Sequence, residues 1–255
     1  TNTYENLKSI PRSCYIYNMI SDEKKSKIIS FLEKSTSQNA QDLFVISHST
    51  KSSSNFFVEF GATNGVHLSN DTIVAARGEK IHTASAGSGS WTERDSGRTS
   101  AGKYTFERFN FDGNDKLIVA DGNNAPTVFN TSFAATDVTS AGGGEVSTAV
   151  TGAKFVAVFK DHMFYAGMSS TPQEVVFSVP FDEDDFTTGS GAGSFKVDDT
   201  ITGLKVFRDN LFIFCENRIF QMTGSSSSDF AVKPVTRNIG CVNGQTIQEF
   251  AGDLI

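Results

Sequence analysis

Asp209-Asn210-Leu211-Phe212-Ile213-Phe214 is an acidic turn residue followed by a run of apolar, largely aromatic residues. The same arrangement recurs as Asp161-His162-Met163-Phe164-Tyr165-Ala166 and as Asp115-Lys116-Leu117-Ile118-Val119-Ala120. A weaker copy is Asp71-Thr72-Ile73-Val74-Ala75-Ala76, and Asp253-Leu254-Ile255 is a shortened one. The leading aspartates are spaced 44, 46, 48 and 44 residues apart. A period of about 45 residues marks a repeat architecture.

Each later copy reads as the second strand of a hairpin. An apolar strand precedes it: Phe109-Asn110-Phe111, Phe155 to Phe159, Leu204 to Phe207, and Phe250. The links, such as Lys160-Asp161-His162 and Arg208-Asp209-Asn210, carry the residues that tight antiparallel turns favour. A third strand follows, at Glu79 to His82, Thr127 to Phe129, Glu174 to Phe177 and Arg218 to Met222. Three or four antiparallel strands per 45 residues describe a β-propeller blade. Runs such as Leu211 to Phe214 are apolar on both faces, which suits a sheet sandwiched between two others. The fold class read from the sequence is therefore mainly β: a partial, open β-propeller of about four blades, incomplete at its C-terminus, with a small α/β N-terminal segment. Two regions are expected, residues 1–70 and 71–255.

In the first region, Asp22 to Lys34 reads as a capped amphipathic helix, followed by apolar runs at Leu43 to Ile46 and Phe56 to Phe60. The second run ends in Glu59 and meets Gly61-Ala62-Thr63-Asn64-Gly65. An apolar strand ending in an acidic residue and a glycine-rich turn is how open α/β sheets build a nucleotide crevice. The stretch Ser37 to Leu43, Phe56 to Gly65 and Leu68-Ser69-Asn70 resembles the start of FkbM-family methyltransferases. That resemblance implies that Glu59, Gly61, Ala62, Asn64 and Gly65 border S-adenosylmethionine. It stops near residue 70, before the second acidic strand that such an enzyme needs for the ribose. The region is accordingly read as a truncated, non-functional half-pocket, and no cofactor is expected unless the methyltransferase reading holds.

Charge and composition narrow the remaining classes. The chain has 255 residues, with 23 Phe, 22 Gly and a net charge of −7. Residues 1–70 hold 7 Lys/Arg against 6 Asp/Glu, and residues 71–255 hold 15 against 23. The acidic repeat region argues against a duplex nucleic-acid partner, which needs a basic patch. No run reaches the length of a membrane helix, so no membrane partner is expected. Cys14, Cys215 and Cys241 are too scattered for a disulfide framework or zinc site, and Cys215 reads as a small core residue. The absent initiator Met and a C-terminus inside a strand pattern read as a fragment of a longer protein.

The candidate sites are few. Asp112 to Asp115 and Asp121 to Asn124 lack calcium-loop spacing and read as turns, so no metal is expected. Asp182-Glu183-Asp184-Asp185 reads as a solvated loop, His162 as an exposed turn residue and Trp91 as a strand-start core aromatic. The stretches Gly142 to Gly144, Gly189 to Gly193 and Ser225 to Ser228 read as flexible surface loops. No catalytic residues are assigned.

Residues 71–255, notably Phe106 to Gly113 and Phe177 to Asp182, resemble propeller-type virion proteins of tailed phages of marine bacteria. That resemblance implies a non-enzymatic tail or neck component, assembled in the host cytoplasm and localised to the virion. Its partners are then other virion proteins or copies of itself. The other classes left open are an S-adenosylmethionine-dependent methyltransferase of the FkbM type, and a propeller binding module or glycan-active enzyme.

Overall fold

The computed structural model describes residues 63–69, 71–85, 90–99, 102–111, 113–138, 148–250 and 253–254. The expected helix at 22–34 and strands at 43–46 and 56–60 lie outside them. The described residues form four four-stranded antiparallel sheets and a final two-stranded hairpin. The first sheet holds β1 (Thr63–Ser69), β2 (Thr72–Arg77), β3 (Lys80–Ser85) and β4 (Thr92–Asp95). The second holds β5 (Thr105–Phe109), β6 (Lys116–Ala120), β7 (Thr127–Phe129) and β8 (Ala135–Asp137). The third holds β9 (Phe155–Phe159), β10 (His162–Ala166), β11 (Glu174–Phe177) and β12 (Gly193–Lys196). The fourth holds β13 (Ile201–Phe207), β14 (Asn210–Cys215), β15 (Ile219–Thr223) and β16 (Ala231–Thr236), and the hairpin is β17 (Glu249–Phe250) with β18 (Asp253–Leu254). Every sheet is a meander in chain order. The architecture is an open β-propeller of about four blades.

The Asp-led runs occupy equivalent places. Those led by Asp71, Asp115, Asp161 and Asp209 become β2, β6, β10 and β14, each the second strand of its sheet. In the third and fourth blades the turn before that strand has only two central residues. Lys160 and Asp161 have φ of 49° and 64°, and Arg208 and Asp209 have 46° and 62°. Positive φ at both positions gives the type I′ turn, whose twist matches that of the flanking strands. Aspartate tolerates this left-handed region because its short side chain bonds locally. In the second blade the first strand ends at Phe109, which pairs with Lys116. Asn110 and Phe111 therefore belong to a longer turn rather than to the strand expected there.

The core lies between the sheets. Along β6, Leu117 and Val119 pack toward the first blade, whereas Ile118 and Ala120 pack toward the third. Along β10, Met163 and Tyr165 face the second blade while Phe164 and Ala166 face the fourth. Leu211, Ile213 and Cys215 of β14 complete that last interface. Alternation with period two thus sends successive side chains into two different cores, each flanked by a neighbouring sheet. This explains why the runs are apolar throughout. Each fully buried Leu, Ile or Phe contributes about 1.5–3 kcal/mol relative to exposure.

The repeat reaches back across residue 70. β1 pairs with β2 from Ser69↔Thr72 to Thr63↔Arg77, with a bulge between Thr63 and Gly65. Asn64 and Gly65 are thus residues of the first blade.

Candidate functional site

A cleft of ≈ 220 Å³ opens between the second and third blades. Val128 of β7 and Val138 beyond β8 supply apolar walls, with Asn130, Ala134 and Thr136 beside them. Lys116, at the start of β6, enters from the second blade, and Glu183 and Asp184 enter from the loop between β11 and β12 of the third. Lys116 Nζ donates to Glu183 Oε1 at 2.8 Å, which ties that loop to the neighbouring sheet. Tyr165, buried in the core, donates its hydroxyl to the Glu183 carbonyl at 2.5 Å. Burial, then the charges of Glu183, Asp184 and Asp182, push its phenol well above the ordinary range.

The acidic run is thus a folded wall and not the solvated loop that like-charge repulsion suggests. Glu183 is only 6 % exposed, with Lys116 as its counter-charge. Asp185 is spent on the local turn, accepting from Thr187 N and Oγ1 at 2.8 and 2.7 Å. Asp184 is raised to about 7, first by burial and then by the hydrogen bond and charge of Asp182 and the charge of Glu183; Lys116 opposes the shift. A carboxyl that titrates near neutrality within a cleft can hold or release a proton under ordinary conditions. Beside the cleft, Lys116 sits over the Phe109 ring at 5.8 Å, and Phe109 leads edge-on to Phe111 and then Phe181. Phe181 is 54 % exposed and has a φ of 63°. Its N–H bonds the Asp161 carbonyl at 2.7 Å, so the third-blade hairpin holds the conformation that presents the ring.

A second polar centre joins the first two blades. Arg98, just after β4, is 5 % exposed. Its Nε and Nη2 meet Asp121 Oδ2 at 3.1 and 3.0 Å. Nη1 donates to Asp95 Oδ2 at 2.7 Å and to Thr127 Oγ1 at 2.6 Å, and Nη2 to the Ala125 carbonyl at 3.3 Å. Asp121 also accepts from the N–H groups of Asn123 and Asn124 at 2.9 and 2.8 Å. Burial pushes Asp121 up, but these N–H bonds, the Asn124 side chain and Arg98 outweigh it and hold the carboxyl below its usual range. Residues 121–124 are therefore a turn, as their composition indicates, and its carboxylate also anchors the preceding blade. A guanidinium with every N–H used is a clamp, not a ligand-binding group.

The residues singled out in the sequence are distributed as follows. Glu59, Gly61 and Ala62 lie outside the described residues. Asn64 and Gly65 pack the first blade against the second: the Asn64 carbonyl accepts from Tyr104 N at 3.2 Å. A Cβ on Gly65 would sit 2.7 Å from both Phe106 Cε2 and Tyr104 Cβ. Glycine suits that position because the segments of the two blades converge on it. His162 is 1 % exposed, with Nδ1 2.6 Å from the Ser178 carbonyl, and it is ringed by Phe164, Phe177 and Phe230. It is the first residue of β10 and not the turn residue expected, because the turn ends at Asp161. Trp91 is half-buried immediately before β4, and Cys215 is fully buried in the core. Gly193, expected in a loop, begins β12.

No family model and no curated protein matches the sequence. Solved structures of propeller-like fold do resemble it. An auxiliary nutrient binding protein from Bacteroides thetaiotaomicron aligns over 73% of this chain and 44% of its own, at 11% identity and a TM-score of 0.47. The extracellular domain of a one-component system from the same bacterium aligns over 77% and 25%, at 11% identity and 0.49. A chain of the Mitotic Checkpoint Complex aligns over 74% and 56%, at 10% identity and a TM-score of 0.50. This chain thus spans between about a quarter and just over half of these three structures, and at these identities the likeness concerns the fold alone.

Proposed function

We propose that this chain is a non-enzymatic interaction scaffold, a structural component of the tail or neck of a tailed-phage virion, built from propeller-like repeats. The observation that carries the reading is where the apolar surface lies. Both faces of β6 and β10 are consumed by neighbouring blades, yet apolar side chains remain exposed at the two extremes of the repeat. On β1 of the first blade, Val66 and Leu68 are 49 % and 60 % exposed. On β16 and the segment after it, Val235, Ile239 and Val242 are 52 %, 67 % and 87 % exposed. Apolar side chains on blade ends favour addition of further protein, whether other virion components or copies of the same chain. The acidic repeat region agrees with protein partners rather than duplex nucleic acid.

Sedimentation velocity of the purified chain tests the scaffold reading, with concentration-dependent association as the expected result. A monomer that stays monomeric as concentration rises refutes it. The reading frames flanking the coding sequence test the virion assignment: capsid and tail genes are expected, and neighbours belonging to a metabolic operon overturn it.

A further inference from the structure

Among the described residues, three buried side-chain atoms along one seam have no hydrogen-bonding partner: Asn64 Nδ2, His67 Nε2 and Tyr104 Oη. All three belong to the junction of β1 with the segment entering β5. Tyr104, only 4 % exposed, donates its N–H to the Asn64 carbonyl. The Phe106 ring stacks on His67 at 5.4 Å and lies 6.3 Å from the Tyr104 ring. Gly65, between Asn64 and His67, brings its backbone against both aromatic residues. Buried polar groups are almost always paired, and leaving one bare costs about 1–3 kcal/mol. Three such atoms in one short seam therefore call for a partner beyond the described residues.

Arg98 lies over the face of the Tyr104 ring, 5.7 Å from its centroid, and its five N–H groups are engaged by Asp95, Asp121, Thr127 and the Ala125 carbonyl. We infer that the seam between the first two blades is an internal hydration site, in which buried water pairs with Asn64 Nδ2, His67 Nε2 and Tyr104 Oη. The donor set fits water. The Asn64 amide and the Tyr104 hydroxyl can each donate to a water oxygen. A neutral imidazole with its proton on Nδ1 leaves Nε2 to accept from water. Burial, then the charge of Arg108, keep His67 below its usual pKa and so favour the neutral ring. Buried waters of this kind make about three hydrogen bonds each to otherwise unpaired groups.

Water-to-protein cross-relaxation in the isotope-labelled full chain, read at the Asn64 side-chain amide and the Gly65 and Tyr104 N–H groups, together with the thermal midpoint of Tyr104→Phe, tests the inference. Long-lived water contacts in the wild type and a lowered midpoint in the variant are expected, because the substitution strips a bridging water of one partner. No cross-relaxation, with an unchanged or raised midpoint in Tyr104→Phe, overturns it, since deleting a bare buried hydroxyl is neutral or favourable. Inorganic phosphate that raises the midpoint of the wild type but not of Tyr104→Phe also overturns it, by showing that the guest is an anion. Should the variant not fold, cross-relaxation in the wild type decides alone.

Discussion

The interface between the first and second blades and the one between the third and fourth use the same strand positions but different chemistry. The first buries Val74, Ala76, Ile81, Leu117, Val119 and Phe129, and adds a buried guanidinium and carboxylate at Arg98 and Asp121. The last is larger and mainly apolar, with the His162 ring, partnered by an uncharged carbonyl, set among its phenylalanines. Phe164 packs on Phe177 at 5.3 Å, on Phe230 at 5.9 Å and on Phe159 at 6.0 Å, above Leu211, Ile213 and Met222. Its ion pairs lie outside the core. Lys160 reaches Asp209 at 2.6 Å, with the aspartate side chain 81 % exposed, and Arg218 pairs with Asp198 at the other end of the blades. Radial packing tolerates either solution because the backbone repeat is fixed by the hairpins, leaving the inter-blade contents free to vary. The two interfaces should therefore respond differently to substitution, acid and salt.

The largest effect is expected at the apolar interface. Phe164 is fully buried among three other phenylalanines and His162. Phe164→Ala removes the ring and leaves a cavity in close-packed surroundings, costing about 3–5 kcal/mol in equilibrium denaturation. A cost under about 1 kcal/mol would mean that the third and fourth blades are not packed as described.

At the polar interface, Arg98→Met keeps the stem and deletes the charge, stranding the buried Asp121. Breaking a buried pair from one side typically costs about 3–5 kcal/mol; the Asn123 and Asn124 N–H groups that Asp121 keeps place this case near about 3. The cost should also depend on pH. The folded carboxyl lies below its unfolded value, so its contribution is present above the ordinary carboxylate range and is lost as pH falls through the lowered folded value. The gap between wild type and Arg98→Met should narrow in acid, whereas the penalty of Phe164→Ala should not follow that titration. Urea unfolding of both variants at neutral and acidic pH makes the comparison directly.

How much of this is legible in the sequence follows from the range of the interactions. The hairpins and the apolar strands are local. Lys160-Asp161 and Arg208-Asp209 set their turns with adjacent residues, so the strands led by those aspartates can be read without a structure. Arg98 cannot be read that way, because it stands in a polar link and its partner Asp121 is 23 residues away in the next repeat unit. Glu183 is masked similarly: four acidic residues in a row suggest solvent until Lys116, 67 residues earlier, is seen to neutralise one of them. His162 was obscured by a single position of turn length. The signal available for Arg98 was its place just before a new blade, opposite a turn rich in Asp and Asn. Only the repeat register, and not local pattern, makes that juxtaposition visible.

A third difference concerns the interface between these two, where the cleft lies. Asp184 is raised from its ordinary value to about 7, so the folded chain holds this proton more tightly than the unfolded chain. Stability should then decline as pH rises from the ordinary carboxylate range to about 7 and level off above it. Asp184→Asn removes the charge that burial disfavours. Its thermal midpoint should exceed that of the wild type at pH values above neutrality and converge with it in mild acid. A variant with the same advantage at both pH values would indicate that Asp184 does not titrate within the cleft.

The smallest effect is expected from the ion pairs that run from blade to blade across the hairpin turns. Lys160 pairs with Asp209 of the next blade, and Arg208 approaches Asp253 of the following hairpin at 3.7 Å. The arrangement invites the reading that charge fixes the order of the blades. The magnitudes argue otherwise: an exposed pair is worth about 0–1 kcal/mol and is screened by salt. Lys160→Ala should therefore cost about 1 kcal/mol or less, and less again in molar salt, including any attraction lost where the ammonium lies over the Phe159 ring. A cost near that of Arg98→Met that persists in high salt would move the turn pairs into the same rank as the buried clamp. The polar and apolar interfaces would then no longer differ in kind, only in where their charges sit.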